Sequence, residues 1–100
     1  MDANELLVYR YSAEDLFKCG VEKSLKGDYK GAIEDFDQAL QLNPNSADAY
    51  GNRCVARYRL GDRQGAIEDC QKAAALYLEQ GKTNDYQYAL KTLGKLQQTV

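Results

Sequence analysis

Two stretches of this sequence repeat one another at a spacing of 34 positions. Residues 27–35 read GDYKGAIED, and residues 61–69 read GDRQGAIED. Residues 13–46 align with residues 47–80 without a gap and share 11 of 34 positions, where unrelated sequences of ordinary composition would share about two. A repeat of this length is one supersecondary unit that buries its apolar face by packing on a neighbour. The sequence therefore predicts a stack of repeated units.

Each unit has the pattern of two helices joined by a tight turn. Ser12 is suited to cap the first helix, and Gly27 can adopt the left-handed conformation that ends it. Asp28 can then cap a second helix, which we predict over Tyr29–Leu42. Pro44 ends the unit because it disfavours a helical conformation at the preceding residue. Apolar and small residues recur at steps of three and four, as in amphipathic helices. They are Leu16, Cys19, Gly20, Val21 and Leu25, then Ala32, Ile33, Phe36, Ala39 and Leu40.

The second unit follows the same plan, and a further helix follows it. We predict helices over residues 50–60 and 64–79, with Gly61 at the turn between them. Residues 81–84 interrupt the chain again, and a fifth helix is predicted over residues 85–97, with one apolar side. That side comprises Tyr86, Ala89, Leu90, Leu93 and Leu96.

These units resemble the tetratricopeptide repeat family over residues 13–80. The family pattern has a large residue, a Leu-Gly pair and an aromatic residue in the first helix, then Ala, an aromatic residue, Ala and Pro. Lys23 and Arg57 stand at the aromatic position of the first helix, where their stems can cover apolar surface and their charged ends reach water. The second unit has Leu78 in place of Pro. The matching residues are Leu16, Gly20, Ala32, Phe36, Ala39 and Pro44, then Tyr50, Ala66 and Ala73.

The resemblance implies an all-α fold in which antiparallel helix-turn-helix repeats stack as a short right-handed superhelix. It divides the chain into an N-terminal extension (1–12), unit one (13–46), unit two (47–80) and a C-terminal capping helix (81–100). Small residues, Gly20 among them, would let the paired helices approach where a larger side chain would hold them apart.

The side chains give no support to catalysis, metal binding or a cofactor site. The sequence has no His, which excludes Ser-His and Cys-His nucleophiles and leaves a zinc site short of ligands. Neighbouring helical residues point about 100° apart, so the adjacent acids Glu34 and Asp35 do not converge on a substrate. We expect them, like Glu68 and Asp69, to form a solvated face or to pair with nearby Lys and Arg. The three cysteines are too widely spaced for a disulfide framework and are predicted to pack as small hydrophobes. We expect no catalytic residue, no metal and no cofactor.

Charge and hydropathy make nucleic acid and membranes poor partners. The net charge is −2 and the isoelectric point is near 5.1, whereas a nucleic-acid-binding domain carries a basic stripe and an isoelectric point above about 9. The nearest approach to such a stripe, Arg53, Arg57, Arg59 and Arg63, has acidic residues close by in sequence. No apolar run approaches the ~20 residues that cross a bilayer, and residues 1–10 lack the pattern of a secretion signal. We therefore expect a cytoplasmic location.

In this family the first helices of successive units line a concave groove that holds short segments of partner proteins. The resemblance places Phe17, Val21, Asn52, Val55 and Arg59 on that groove, with the apolar residues as its floor and Asn52 and Arg59 as polar contacts. We therefore predict a protein–protein interaction module, a scaffold or adaptor whose partner is another protein or peptide. Binding of chaperone C-termini is not expected, because Asn52 alone matches the family's five-residue carboxylate clamp.

Two alternatives stay open from the sequence. Phe17 and Val21 could be covered by residues 1–12 or by the cap instead of lining a groove. The chain could also be a structural unit that forms homo-oligomers through its apolar N-terminus or the ends of its stack, since two units are fewer than the three that such stacks normally need.

Overall fold

The computed structural model describes residues 11–98, which form five α-helices and no strand. The all-α fold predicted from the sequence is confirmed. The predicted N-terminal extension lies outside the described residues, apart from Tyr11 and Ser12, and the proposed unit boundaries stay a prediction. The helices are α1 (Ala13–Leu25), α2 (Tyr29–Leu42), α3 (Ala47–Arg59), α4 (Arg63–Glu79) and α5 (Thr83–Gln98).

Side-chain caps set the starts of the helices. The Ser12 hydroxyl accepts a hydrogen bond from the backbone N–H of Asp15 at 3.1 Å, as the sequence predicts. Ser46 caps α3 in the same way, so α3 begins three residues earlier than predicted. Helix α5 also begins two residues earlier than predicted, at Thr83. A capping hydroxyl satisfies one of the N–H groups that a helix start leaves without a partner.

The two turns inside the units have the same geometry. Gly27 and Gly61 lie at φ 84° and 87°, in the left-handed region that glycine adopts without steric cost. The next backbone N–H then folds back onto the helix: Asp28 donates to the Lys23 carbonyl at 2.8 Å, and Asp62 donates to the Arg57 carbonyl at 2.9 Å. The predicted glycine turns are therefore confirmed.

Contacts across the turns show that consecutive helices run antiparallel. Between α3 and α4, the start of one helix meets the end of the other, because the Tyr77 hydroxyl donates to Asp48. Nearer the turn, Arg53 meets Asp69. Adjacent helices pack in this way along the chain, which is the arrangement of an α–α superhelix.

Small residues form the seam between paired helices. Ala32 and Ala66 are fully buried, and Ala39 and Ala73 are 1% exposed. A Cβ added to Gly20 would lie 2.6 Å from a ring carbon of Phe36, which is itself fully buried. The expectation that small residues permit close approach of the helices is confirmed.

The seam consists of two apolar clusters, one after the other along the stack. The first joins α1, α2 and α3 around Ala32, Phe36 and Ala56. The second joins α3, α4 and α5, and Ala89 and Leu96 enter it from α5. The apolar side predicted for the fifth helix is only partly buried, because Leu90 on α5 remains 44% exposed.

Gly20→Ala tests the seam. We expect it to lower the free energy of unfolding by about 1–3 kcal/mol relative to Gly94→Ala, because the new methyl group overlaps the buried Phe36 ring and overpacking has a cost of that size. A Cβ at Gly94 meets nothing within 4 Å, and both substitutions gain the same helix propensity. Urea unfolding of the two variants measures the difference. Equal stabilities would show that the helices tolerate a wider spacing.

Candidate functional site

A cleft of about 300 Å³ lies between α3 and α5. On α3, Val55, Tyr58 and Arg59 line it at spacing i, i+3, i+4, which places them on one side of the helix. The Val55 and Tyr58 side chains are 49% and 50% exposed. The full lining is Cys54, Val55, Tyr58 and Arg59 from α3, with Thr92, Lys95 and Leu96 from α5.

The charged groups in the cleft are all cationic. Arg59 reaches it from α3 and Lys95 from α5, and none of the described residues that line it is acidic. Guanidinium groups bind carboxylates and carbonyl oxygens through paired N–H donors. The cleft therefore combines exposed apolar side chains with donors suited to an acidic or carbonyl group.

The structure brings together two of the five residues that the sequence places on the groove. Val55 and Arg59 line the same cleft. Phe17 and Val21 lie on α1, half-buried against the first apolar cluster, and the Phe17 ring centroid is 5.9 Å from that of Phe36. Their covering by α2 was not among the alternatives considered from the sequence.

Asn52 is engaged within its own helix. Its side-chain amide donates to the Asp48 carbonyl oxygen at 2.9 Å. The Asp48 carboxylate accepts from the Tyr77 hydroxyl, and burial together with this hydrogen bond raises the pKa of Tyr77 above its ordinary value. Asn52 therefore sits beside a polar contact that links α3 to α4.

Sequence reasoning missed the wall of the cleft on α5. Thr92, Lys95 and Leu96 line it, but the fifth helix was predicted only as a cap. The signal was present, since these three residues have the same i, i+3, i+4 spacing as Val55, Tyr58 and Arg59 on α3 and so share one side of a helix.

Arg53 and Arg57, two of the four arginines that come nearest to a basic stripe in the sequence, are paired with carboxylates. Arg53 makes a bidentate pair with Asp69 at 2.9 and 2.8 Å and also reaches Asp37 on α2 at 2.8 Å. Arg57 contacts Asp69 at 3.1 Å. The hydrogen bonds to Asp69 raise the pKa of Arg53 further above its ordinary value. This network ties α2, α3 and α4 together.

Unit one contains the equivalent of one of these pairs. Lys23 contacts Asp35 at 3.0 Å, and the two residues stand 34 positions before Arg57 and Asp69. The hydrogen bond to Asp35 raises the pKa of Lys23. The charged ends at the family's aromatic position thus pair with a carboxylate on the next helix, and the Lys23 side chain also stays 43% exposed to water.

The starts of α2 and α4 are already occupied by carboxylates of the chain itself. Asp28 and Asp62 place their carboxylates on the N–H groups of Gly31 and Gly65, where an anion would otherwise bind. Residues 11–98 contain no group of three or more His, Cys, Asp or Glu side chains that could hold a metal ion. None of the helices in that range has the length and apolar character needed to span a membrane.

Antiparallel helix pairs that repeat every 34 residues around a shared seam of small residues define a helical repeat protein. Residues 25–61 match the family model described as TPR repeat. The chain belongs to the tetratricopeptide repeat family.

Similar proteins from several organisms are named as tetratricopeptide repeat proteins. The chain is 37% identical over 70 residues to tetratricopeptide repeat protein 36 of Danio rerio and 47% identical over 57 residues to the Bos taurus protein of that name. It is also 34% identical over 89 residues to small glutamine-rich tetratricopeptide repeat-containing protein 2 of Mycosarcoma maydis. These matches cover 70%, 57% and 88% of this chain, but only 37%, 30% and 25% of the relatives.

Asp69→Asn tests whether the arginine network is structural. The Asp69 side chain is 4% exposed, against 14% for Arg53 and 26% for Arg57. Asparagine lacks the charge and keeps only one acceptor oxygen, so both guanidinium groups lose an ion pair and one donor faces an NH2 group. We therefore expect the free energy of unfolding to fall by about 2–3 kcal/mol.

The matched control is Asp37→Asn, which contacts the same Arg53 from a side chain that is 49% exposed. We expect a loss of about 0–1 kcal/mol there, as for other exposed pairs. Chemical denaturation of both variants gives the comparison. A loss as small for Asp69→Asn as for Asp37→Asn would mean that the network adds little to stability.

Proposed function

We propose that this chain is a protein–protein interaction module that holds a short segment of a partner protein against the cleft between α3 and α5. The tetratricopeptide repeat family supports a general role in protein–protein interaction. The observation that carries the specific proposal is the presence of two half-exposed apolar side chains and Arg59 on one side of α3, facing α5.

Complementarity between surfaces is the proposed mechanism. Val55 and Tyr58 accept apolar side chains of the partner, because covering them removes apolar area from water. Arg59 pairs with a carboxylate or carbonyl group next to those side chains. Tyr and Arg are the residue types that most often dominate the free energy of such interfaces.

The remaining predicted residues extend the same surface in this proposal. Asn52 lies one turn before Val55 on α3, and Phe17 and Val21 of α1 pack against the apolar cluster that includes Ala56 of α3. The partly exposed faces of Phe17 and Val21 give a longer segment a second place to pack.

Val55→Asp and Arg59→Ala test the cleft. Proteins captured from the native cell by the wild-type chain would be identified, and a peptide from the captured partner would be titrated against each variant. We expect each substitution to weaken binding about 10-fold or more, which corresponds to about 1.4 kcal/mol. A charge on the apolar floor loses apolar contact, and removal of Arg59 leaves an acceptor on the partner without its donor.

Leu78→Asp is the matched control for the cleft variants. Leu78 is 60% exposed on α4 and does not line the cleft, so it places the same charge on a different surface. Its binding should equal that of the wild type. Unchanged binding by both Val55→Asp and Arg59→Ala would rule out the cleft as the binding surface.

The open end of unit one supports a second proposal, self-association through the stack ends. A depression of about 530 Å³ lies there, lined in part by Tyr11, Leu16 and Leu42. Leu42 is 52% exposed, whereas Leu76, in the same position of unit two, is 5% exposed. A second copy packed on this end would cover Leu42.

Self-association is tested by light scattering. The samples are the wild type, the Leu42→Glu variant and a chain lacking residues 1–12. If this second proposal holds, the wild type is a dimer and Leu42→Glu is a monomer, because a buried unpaired charge disfavours the interface. The control Leu25→Glu, at a residue that is 83% exposed and outside the depression, stays dimeric. A wild type that is monomeric with and without residues 1–12 would exclude this proposal.

A further inference from the structure

Cys54 and Cys70 occupy a pair of positions that are in contact in unit one. They stand 34 residues after Gly20 and Phe36, where a Cβ on the glycine would lie 2.6 Å from the phenylalanine ring. Helices α3 and α4 repeat the pairing of α1 and α2, so the two cysteine side chains face one another across the seam. The two cysteine side chains interact directly in unit two, and a disulfide requires their Cβ atoms to come within about 3.5–4.5 Å of each other.

The two thiols share one apolar environment. Each is 3% exposed, and both belong to the second apolar cluster. Interaction between the thiols raises the pKa of Cys54, with burial acting in the same direction, and lowers the pKa of Cys70. The Cys70 Sγ also donates to the Ala89 carbonyl on α5 at 3.2 Å. The two thiols therefore interact with one another within a single buried site.

A small oxidant has a route to the pair. Cys54 forms part of the wall of the cleft between α3 and α5, and a space of about 300 Å³ far exceeds the ~30 Å³ share of one water molecule in the liquid. Hydrogen peroxide is of similar size to water and can enter the same space. The third cysteine, Cys19, lies on α1 in the other unit and offers an internal comparison.

We propose that Cys54 and Cys70 are an oxidation site that closes to an intramolecular disulfide when hydrogen peroxide reaches the cleft. One thiol is first oxidised to a sulfenic acid, with cleavage of the peroxide O–O bond and release of one water. The second sulfur then attacks the first, an S–S bond forms, and the sulfenic oxygen leaves as a second water. In total two thiols lose two protons and two electrons, and one peroxide molecule takes them up as two waters.

The experiment treats the folded full-length chain with hydrogen peroxide, alkylates the remaining thiols after unfolding, and measures the intact mass. We expect the number of alkylated cysteines to fall from three to one, with reversal by a phosphine reductant. Digestion with trypsin, which cleaves after Lys and Arg, should then release residues 54–57 joined to residues 64–72. This peptide map uses the wild type and does not depend on any variant folding.

Single serine variants provide the controls. Cys19→Ser should still form the linked peptide, whereas Cys54→Ser and Cys70→Ser should each lose it. Three alkylated thiols after peroxide treatment, oxygen added to separate cysteines, or a bond that includes Cys19 would each overturn the proposal.

Discussion

Close approach of paired helices at small residues is the constraint on which the rest of the stack depends. In unit one, Gly20 leaves room for the Phe36 ring, and any Cβ there would overlap it. Unit two meets the same constraint differently, because Cys54 and Cys70 replace a very small and a large side chain with two of intermediate size. Cores tolerate such exchanges when the total volume is kept. The two units can therefore share one helix spacing although neither residue of the pair is the same.

A second constraint comes from charge at the position where the family has an aromatic residue. Lys23 and Arg57 each reach a carboxylate twelve residues further along, Asp35 and Asp69, across the turn to the second helix. Removing charged groups from water costs free energy, and an ion pair recovers it only with good geometry and additional hydrogen bonds. Arg53 supplies those bonds for Asp69. Unit two thus has the more complete network, and through Asp37 it is also joined to unit one.

The sequence predicted the features that depend on local pattern and missed those that depend on how units meet. Periodicity and turn residues were sufficient for α2, whose bounds agree with the structure, and for the turns at Gly27 and Gly61. The cleft was only half predicted, because Val55 lies on a helix matched to the family while the α5 wall was assigned to a cap. The sequence allowed Asp35 to pair with a nearby Lys or Arg, but it did not single out Lys23, since spacing along one helix carries no information about contacts with the next.

Helix α4 determines the shape of the cleft although it does not line it. On one side, Asp69 holds α3 through its arginine pairs. On the other, Arg63 donates to the Leu96 carbonyl at 2.9 and 2.6 Å, and Cys70 donates to the Ala89 carbonyl, so α4 also holds α5. Both walls of the cleft are therefore positioned from the same helix. Any change that shifts α4, including one deep in the seam, must alter the distance between the side chains that a partner would contact.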